Sequence, residues 1–476
     1  MAVEIAPKKK RFDFASYGIV VAFLCLEVLA FLGLSLGHNF ILYGSLSIAL
    51  ALLLLLVTFR QIKKDGIATF AFFLFPLFIY GLLSALSVFV TESDGAIGLA
   101  NGIFIPITLT FLALSGYLVS NVKGFDIQKA LLVIYGSLGV FVLINLIITM
   151  IYYVPFYTLI YKDYYIFYDG KPSAAPIGST AYMLFGFQIL EVSVRYWSLF
   201  PTMLTTAGIA LFFLDFKKNK KVFIAYVAFT FLGFISLLFT ISKYALISDF
   251  LLLVVMAGVV VYAKFPQVRN IFKYIIFGGL GIFFILCIIL FLNAQTWGWT
   301  SGMRNAIANN GLLNRLFNTN FLASGISAIL WESLNLGKLF GSFVGTVAGT
   351  GYGVNQQLAG TWIFDNVLTS GLFGAIFFDF ALFIGLRQMM KYYQNSRDLA
   401  VNKNLILGFV ITLFVICGIL YEGTPLINSN NLFPIYMFAP FLIAIFLIGY
   451  TFKEEKVEKE KPQEKEEVKY EESINL

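Results

Sequence analysis

An all-α polytopic membrane bundle is the fold class this sequence predicts. Three features predict it: long unbroken apolar runs, scarce charge, and basic residues concentrated on alternate loops. Of the 476 residues, 59% are hydrophobic and only 12% charged, with a mean hydropathy of +0.85. A soluble domain carries roughly 25% charged residues. About 20 apolar residues cross a bilayer as a helix, and the backbone of such a segment has to satisfy its own hydrogen bonds. The short alternating strands of an outer-membrane barrel are absent from these continuous runs.

Taken in order, about twelve spans are expected, at 17–36, 40–59, 67–90, 99–119, 130–153, 196–215, 222–240, 244–263, 274–293, 363–386, 405–422 and 432–451. They form one transmembrane domain, 17–452, between a cytoplasmic amino terminus, 1–16, and a tail, 453–476. With the amino terminus inside, 26 of the 33 Lys and Arg residues fall on the cytoplasmic side. The seven left outside are Lys162, Lys171, Arg195, Lys243, Arg304, Arg315 and Lys338. This asymmetry sets the orientation with both termini inside, and it accounts for the net charge of +7 without a nucleic-acid partner. The tail mixes both charge signs with few apolar residues, a composition that does not pack.

Cys25, Cys287 and Cys417 all lie in apolar runs, so neither a disulfide framework nor a metal site is expected. KKKR at 8–11 precedes a full-length span and not a cleavable leader. Cytoplasmic loops are short, and the GxxxxGK[ST] phosphate loop is missing. Nucleotide-driven transport is not expected, and neither is a cofactor.

Polar mass collects outside, at about 154–195 and above all at about 294–362. The second segment closes on GTVAGTGYGVNQQLAGTWIFDN, residues 345–366. Its GYG matches the end of a potassium filter, but a filter is a ring of four such loops, and this chain has one copy. A nucleotide-cradling loop fails because nucleotides lie on the other side. Long loops in compact proteins are functional or disordered, and NFLASGISAILWESLNLGKLF within this one has the composition of an interfacial helix.

Outward cations run against the topological bias. Arg195 opens span 6, Lys243 stands at a tight turn between spans 7 and 8, and Arg304 and Arg315 lie in the large loop. Arg gives forked hydrogen bonds and Lys a point charge, a combination suited to a diphosphate; local ion pairing or snorkelling to lipid is the plain alternative. Asp365, followed by Asn366, marks the return into span 10. It fits either a general base for a sugar hydroxyl or a helix N-cap. Trp331 with Glu332 has the look of a sugar-contacting pair, or equally of an interfacial helix. Tyr-rich YTLIYKDYYIFYDG (157–170) fits sugar stacking or an interfacial aromatic belt. Intramembrane acids usually mark function; Glu27, Asp249 and Asp379 are the three here, and they favour a transporter.

The order TISKYALIS, long outer loop, SGISAILWES, GTGYGVN, TWIFDNVLTSGLFGAIFF resembles the O-antigen polymerase and ligase superfamily, which includes capsule and exopolysaccharide repeat-unit polymerases. The resemblance covers about 240–386. Ser242-Lys243 stands where those proteins carry a Ser-Arg junction. Gly351 and Gly353 flank Tyr352 in the loop segment, and Asp365-Asn366 replaces the His-Asn of the ligase branch. Ser324-Gly325-Ile326 lacks the arginine of the usual SGR, leaving Arg315 or Arg304 to substitute. The resemblance implies inverting, metal-independent glycosyl transfer at the outer face of the bacterial cytoplasmic membrane. Undecaprenyl-diphosphate-linked oligosaccharides would be donor and acceptor, within membrane lipid, with a flippase and a chain-length regulator as partners. Asp365, Lys243 and Arg315 become catalytic candidates. Arg195, Arg304, Glu332, Trp331, Tyr352 and Asn366 become substrate-binding candidates. A ligase of the O-antigen type, or a transporter or flippase of lipid-linked oligosaccharides, is the alternative.

Overall fold

The computed structural model describes residues 49, 52, 56, 67–90, 105–120, 125–152, 183–184, 187–188, 194–240, 243–271, 274–275, 278, 362–415 and 439–452. The described part is helical, apart from one two-residue antiparallel pairing of β1 (Met183–Leu184) with β2 (Phe187–Gln188). The helices are α1 (Ile67–Val90), α2 (Ile105–Ser120), α3 (Ile127–Tyr152), α4 (Val194–Thr205), α5 (Gly208–Leu211), α6 (Lys220–Thr240), α7 (Lys243–Lys264), α8 (Trp362–Asn395), α9 (Ala400–Val415) and α10 (Ala439–Tyr450). Nine of the twelve expected apolar segments fall on these helices. Those at 17–36, 40–59 and 274–293 lie wholly or almost wholly outside the described residues.

Helix faces explain why this is a membrane protein. On α1, Phe70, Phe73, Leu77 and Tyr80 are buried in the bundle, while Phe72, Phe75, Phe78 and Leu82 are exposed. Both stripes are apolar. The same holds on α8, where Ala375, Phe378 and Leu382 face inward and Phe373, Ile376, Phe380 and Phe383 outward. In water such outer faces would be an aggregation surface; lipid is the solvent that tolerates them. Among the described residues, three segments are long and apolar enough to cross a membrane by length and composition: Ile127–Ile144, Lys220–Leu237 and Phe373–Asn395.

Two elements occupy the interior. Residues 200–210, running from α4 into α5, and residues 440–452, α10 and the two residues after it, are buried throughout. In lipid there is no hydrophobic drive between helices, so close backbone approach through small residues replaces it. At the α2–α10 seam, a Cβ added to Gly116 would collide with the Phe446 carbonyl oxygen, and one added to Gly449 would collide with that of Ala113. Along the α1–α8 seam, a Cβ on Gly385 would come within 2.7 Å of Ile448 Cγ2 and 3.0 Å of Phe73 Cε2. Further along the same seam the Tyr80 and Phe378 rings pack with centroids 4.8 Å apart.

The segment expected as one span at 196–215 is broken. After Thr205 the hydrogen bonding tightens to three-residue spacing: Thr206 N–H donates to Met203 O, Ala207 N–H to Leu204 O, and Ile209 N–H to Thr206 O. Threonine hydroxyls supply what the backbone lacks there, Thr205 Oγ1 donating to Thr202 O (2.7 Å) and Thr206 Oγ1 to Met203 O (2.5 Å). With the one Thr206 proton committed, Tyr135 of α3 is the donor in its 2.8 Å bond to Thr206 Oγ1. Glycines admit the irregular segment: Gly208 faces Met256 and Thr230, Gly233 faces Thr205 and Pro201, and Gly408 faces Ile209.

Candidate functional site

Contacts between side chains set the helix directions. Lys264 Nζ lies 5.9 Å from the centroids of both the Phe212 and Phe213 rings, and Met256 lies against Gly208. Helix α7 therefore runs in the same direction as α4 and α5. Tyr392 rings beside Tyr450 and Gly385 beside Ile448 make α8 parallel to α10, while Phe414 beside Phe441 turns α9 the opposite way. The Tyr262 and Tyr393 rings, 5.6 Å apart, join the last turns of α7 and α8. The first turns of α4, α7 and α8 thus share one end of the bundle.

Heights follow from the helical rise. Arg195, in the first turn of α4, is thirteen residues before Gly208. Lys243, the first residue of α7, is thirteen residues before Met256. At 1.5 Å per residue Lys243 stands about 20 Å from the Gly208–Met256 contact, and the backbone of Arg195 comes to a similar level, its count crossing the tightened turn at 206–208 where the rise is about 2 Å. Because α4 and α7 pack on each other, that depth is shared by neighbouring helices. Amino-terminal turns also present unpaired N–H groups and the positive end of the helix dipole, the standard setting for an anion.

Asp365 and Asn366 reach the same end but a different height. Helix α8 starts at Trp362, which places Asp365 inside the first turn and not at the N-cap. Counted from the Tyr262–Tyr393 pair along straight axes, Asp365 lies about 13 Å beyond Lys243. Arg304, Arg315, Trp331, Glu332 and Tyr352 lie outside the described residues.

The opposite end carries a polar clasp that sequence reasoning passed over. Asp398, in the turn after α8, accepts hydrogen bonds from Tyr392 Oη and, at 3.1 Å, from Tyr450 Oη. Tyr393 Oη donates to Asn404 Oδ1 at 3.0 Å. Lys403 Nζ donates to Ser396 O at 2.8 Å, and Arg269 Nε to Tyr262 O at 2.9 Å, so each cation caps carbonyls at a helix carboxyl end. The signal in the sequence was KYYQNSRD, two tyrosines followed by a turn with an acid. Asp398→Ala is expected to cost about 1–3 kcal/mol for each tyrosine hydroxyl left unsatisfied, read as a lower unfolding midpoint of the purified protein. A midpoint unchanged from wild type would remove Asp398 from the clasp.

The helix break was also missed, although Pro201, Thr205, Thr206 and Gly208 in PTMLTTAG announce it. The described part is a helical membrane protein in which α4, α7 and α8 bring Arg195, Lys243 and Asp365 to one end of the bundle. No protein-family model matches the chain, and no curated protein matches it.

Proposed function

We propose that the chain is a polysaccharide repeat-unit polymerase of the bacterial cytoplasmic membrane. It would have about twelve spans, both termini cytoplasmic, and a large outer loop at about 294–362. What carries the reading is that Arg195 and Lys243 both lie in the first turns of two neighbouring parallel helices, α4 and α7. Two cations and two helix amino termini there suit the diphosphate of a lipid-linked glycan. The motif order around Lys243, Tyr352 and Asp365-Asn366 supports the same substrate class.

In the proposed reaction the hydroxyl oxygen of the acceptor sugar bonds to the anomeric carbon of the donor from the face opposite the diphosphate. The carbon–oxygen bond to the diphosphate breaks, and the leaving group carries away the electron pair. Arg195, Lys243 and the loop cations Arg304 and Arg315 hold that developing charge. The hydroxyl proton passes to a carboxylate, for which Asp365 is the choice. At 34 residues, α8 is about 51 Å long, well over the ~30 Å hydrocarbon core.

The test is reconstitution of the purified chain in liposomes with an undecaprenyl-diphosphate-linked oligosaccharide. Polymerase activity gives a ladder of products longer than one repeat. The half-buried acids Asp249 and Asp379, each with one oxygen shut off from solvent and unpartnered, favour with the broken helix the transporter reading instead. That reading wins if lipid-linked oligosaccharide crosses the bilayer and no ladder forms.

A further inference from the structure

We propose that Asp249, Ser236 and the backbone carbonyl of Trp197 hold one small monovalent cation, a proton or a sodium ion, inside the bundle. The inference does not rest on the polymerase reading. Asp249 continues the inward stripe of α7 through Leu252, Met256 and Val259, which are buried. Asp249 itself is half-buried; its Oδ1 is shut off from solvent and makes no hydrogen bond. Charge at this position is costly without a counter-ion.

Two further oxygens come to the same depth from neighbouring helices. Asp249 is seven residues above Met256, which lies against Gly208, so it is level with about Pro201 on α4. Gly233 of α6 meets the Pro201 carbonyl and Thr205, and Ser236 lies one turn further in the direction of Asp249. Ser236 is 3% exposed, and its Oγ has no hydrogen-bond partner. Pro201 stands inside α4 and has no N–H, which frees the Trp197 carbonyl of its helical donor. That carbonyl points along α4 towards Pro201. A carboxylate, a hydroxyl and a freed carbonyl beside an irregular helix are the oxygen donors that membrane proteins use for Na⁺ or H⁺.

Other titratable groups on the packed elements stand at other heights. On α4, Arg195 and Tyr196 lie towards the amino-terminal end, as do Lys243 and Tyr244 on α7 itself. Tyr226 of α6 lies well below, towards the helix break, and Lys403 of α9, Tyr262 and Lys264 lie at the far end.

The test uses the full-length chain in nanodiscs, with thermal unfolding followed from acidic to mildly alkaline pH. Wild type, Asp249→Asn and Ser236→Ala are compared in choline chloride and in sodium chloride of equal ionic strength. In choline the wild-type midpoint should fall as pH rises, because an ionised Asp249 is then left unpaired in the folded bundle only; Asp249→Asn should fall less, keeping only what other carboxyls such as Asp379 contribute. If sodium restores the alkaline wild type and not Asp249→Asn, the ion is sodium or either ion. Ser236→Ala should then need severalfold more of it. If sodium does nothing while the pH difference remains, the site is a proton site. Infrared difference spectra give a second readout, a protonated-carboxyl contribution at acidic pH in wild type minus Asp249→Asn. A pH and sodium response equal in wild type and Asp249→Asn, or absent from wild type, overturns the proposal.

Discussion

On the proposed polymerase function, cells carrying Lys243→Ala are expected to accumulate single repeat units on the lipid carrier and to make no long chains. The lysine opens α7, where its charge adds to the unpaired N–H groups of the first turn. A positioned donor that meets developing oxyanion charge is worth about 10²–10³ in rate. At such a loss, chain growth stops while lipid-linked units are still delivered. Arg315→Ala should act in the same way, and Lys243→Arg should retain polymer because charge is kept. The measurement is the length distribution of surface polysaccharide together with the lipid-linked pool. Full-length polymer from both alanine variants would remove these residues from the site.

Gly449→Ala should destabilise the bundle although alanine is the better helix former. At the α2–α10 seam, the added methyl would meet the Ala113 carbonyl, a backbone atom that cannot rotate away. Overpacking of this kind costs about 1–3 kcal/mol, against a propensity gain of roughly 1 kcal/mol. Gly136→Ala is the matched control. Its new Cβ meets only Phe229 Cζ, at 4.0 Å, so the propensity gain stands alone and the midpoint should hold or rise. Unfolding midpoints of the two purified variants check the contrast. Equal shifts would mean that the α2–α10 approach is not set by glycine.

Much of the helical layout was legible in hydropathy alone. Apolar run length, a local property, sets where a helix can cross lipid, and this is why the segment expected at 67–90 coincides with Ile67–Val90. The run expected at 363–386 came out longer, as Trp362–Asn395. Its last turns are amphipathic, with Met389, Tyr392 and Tyr393 buried, and a hydropathy window stops where charge begins at Arg387. The break after Thr205 was not read as such, because a proline, three threonines and a glycine in an apolar run are also compatible with a continuous membrane helix. Only the packing of Gly233, Gly408 and Tyr135 against it makes the broken form the stable one.

The candidate site divides in the same way. Lys243, Arg195 and Asp365 stand out in the sequence because cations and acids are scarce beside apolar runs, and scarcity needs no coordinates. Their mutual placement is another matter. Residues 195 and 243 are far apart along the chain, and their common depth comes from the parallel packing of α4 and α7 through the Gly208–Met256 contact. Asp249 and Ser236 share a level for a similar reason, because α6 runs back antiparallel and seats Gly233 on Pro201. Composition determines which residues enter the membrane and which are costly there. Depth and neighbours depend on helix direction and on backbone approach at a few small residues, quantities that arise only when the chain packs on itself.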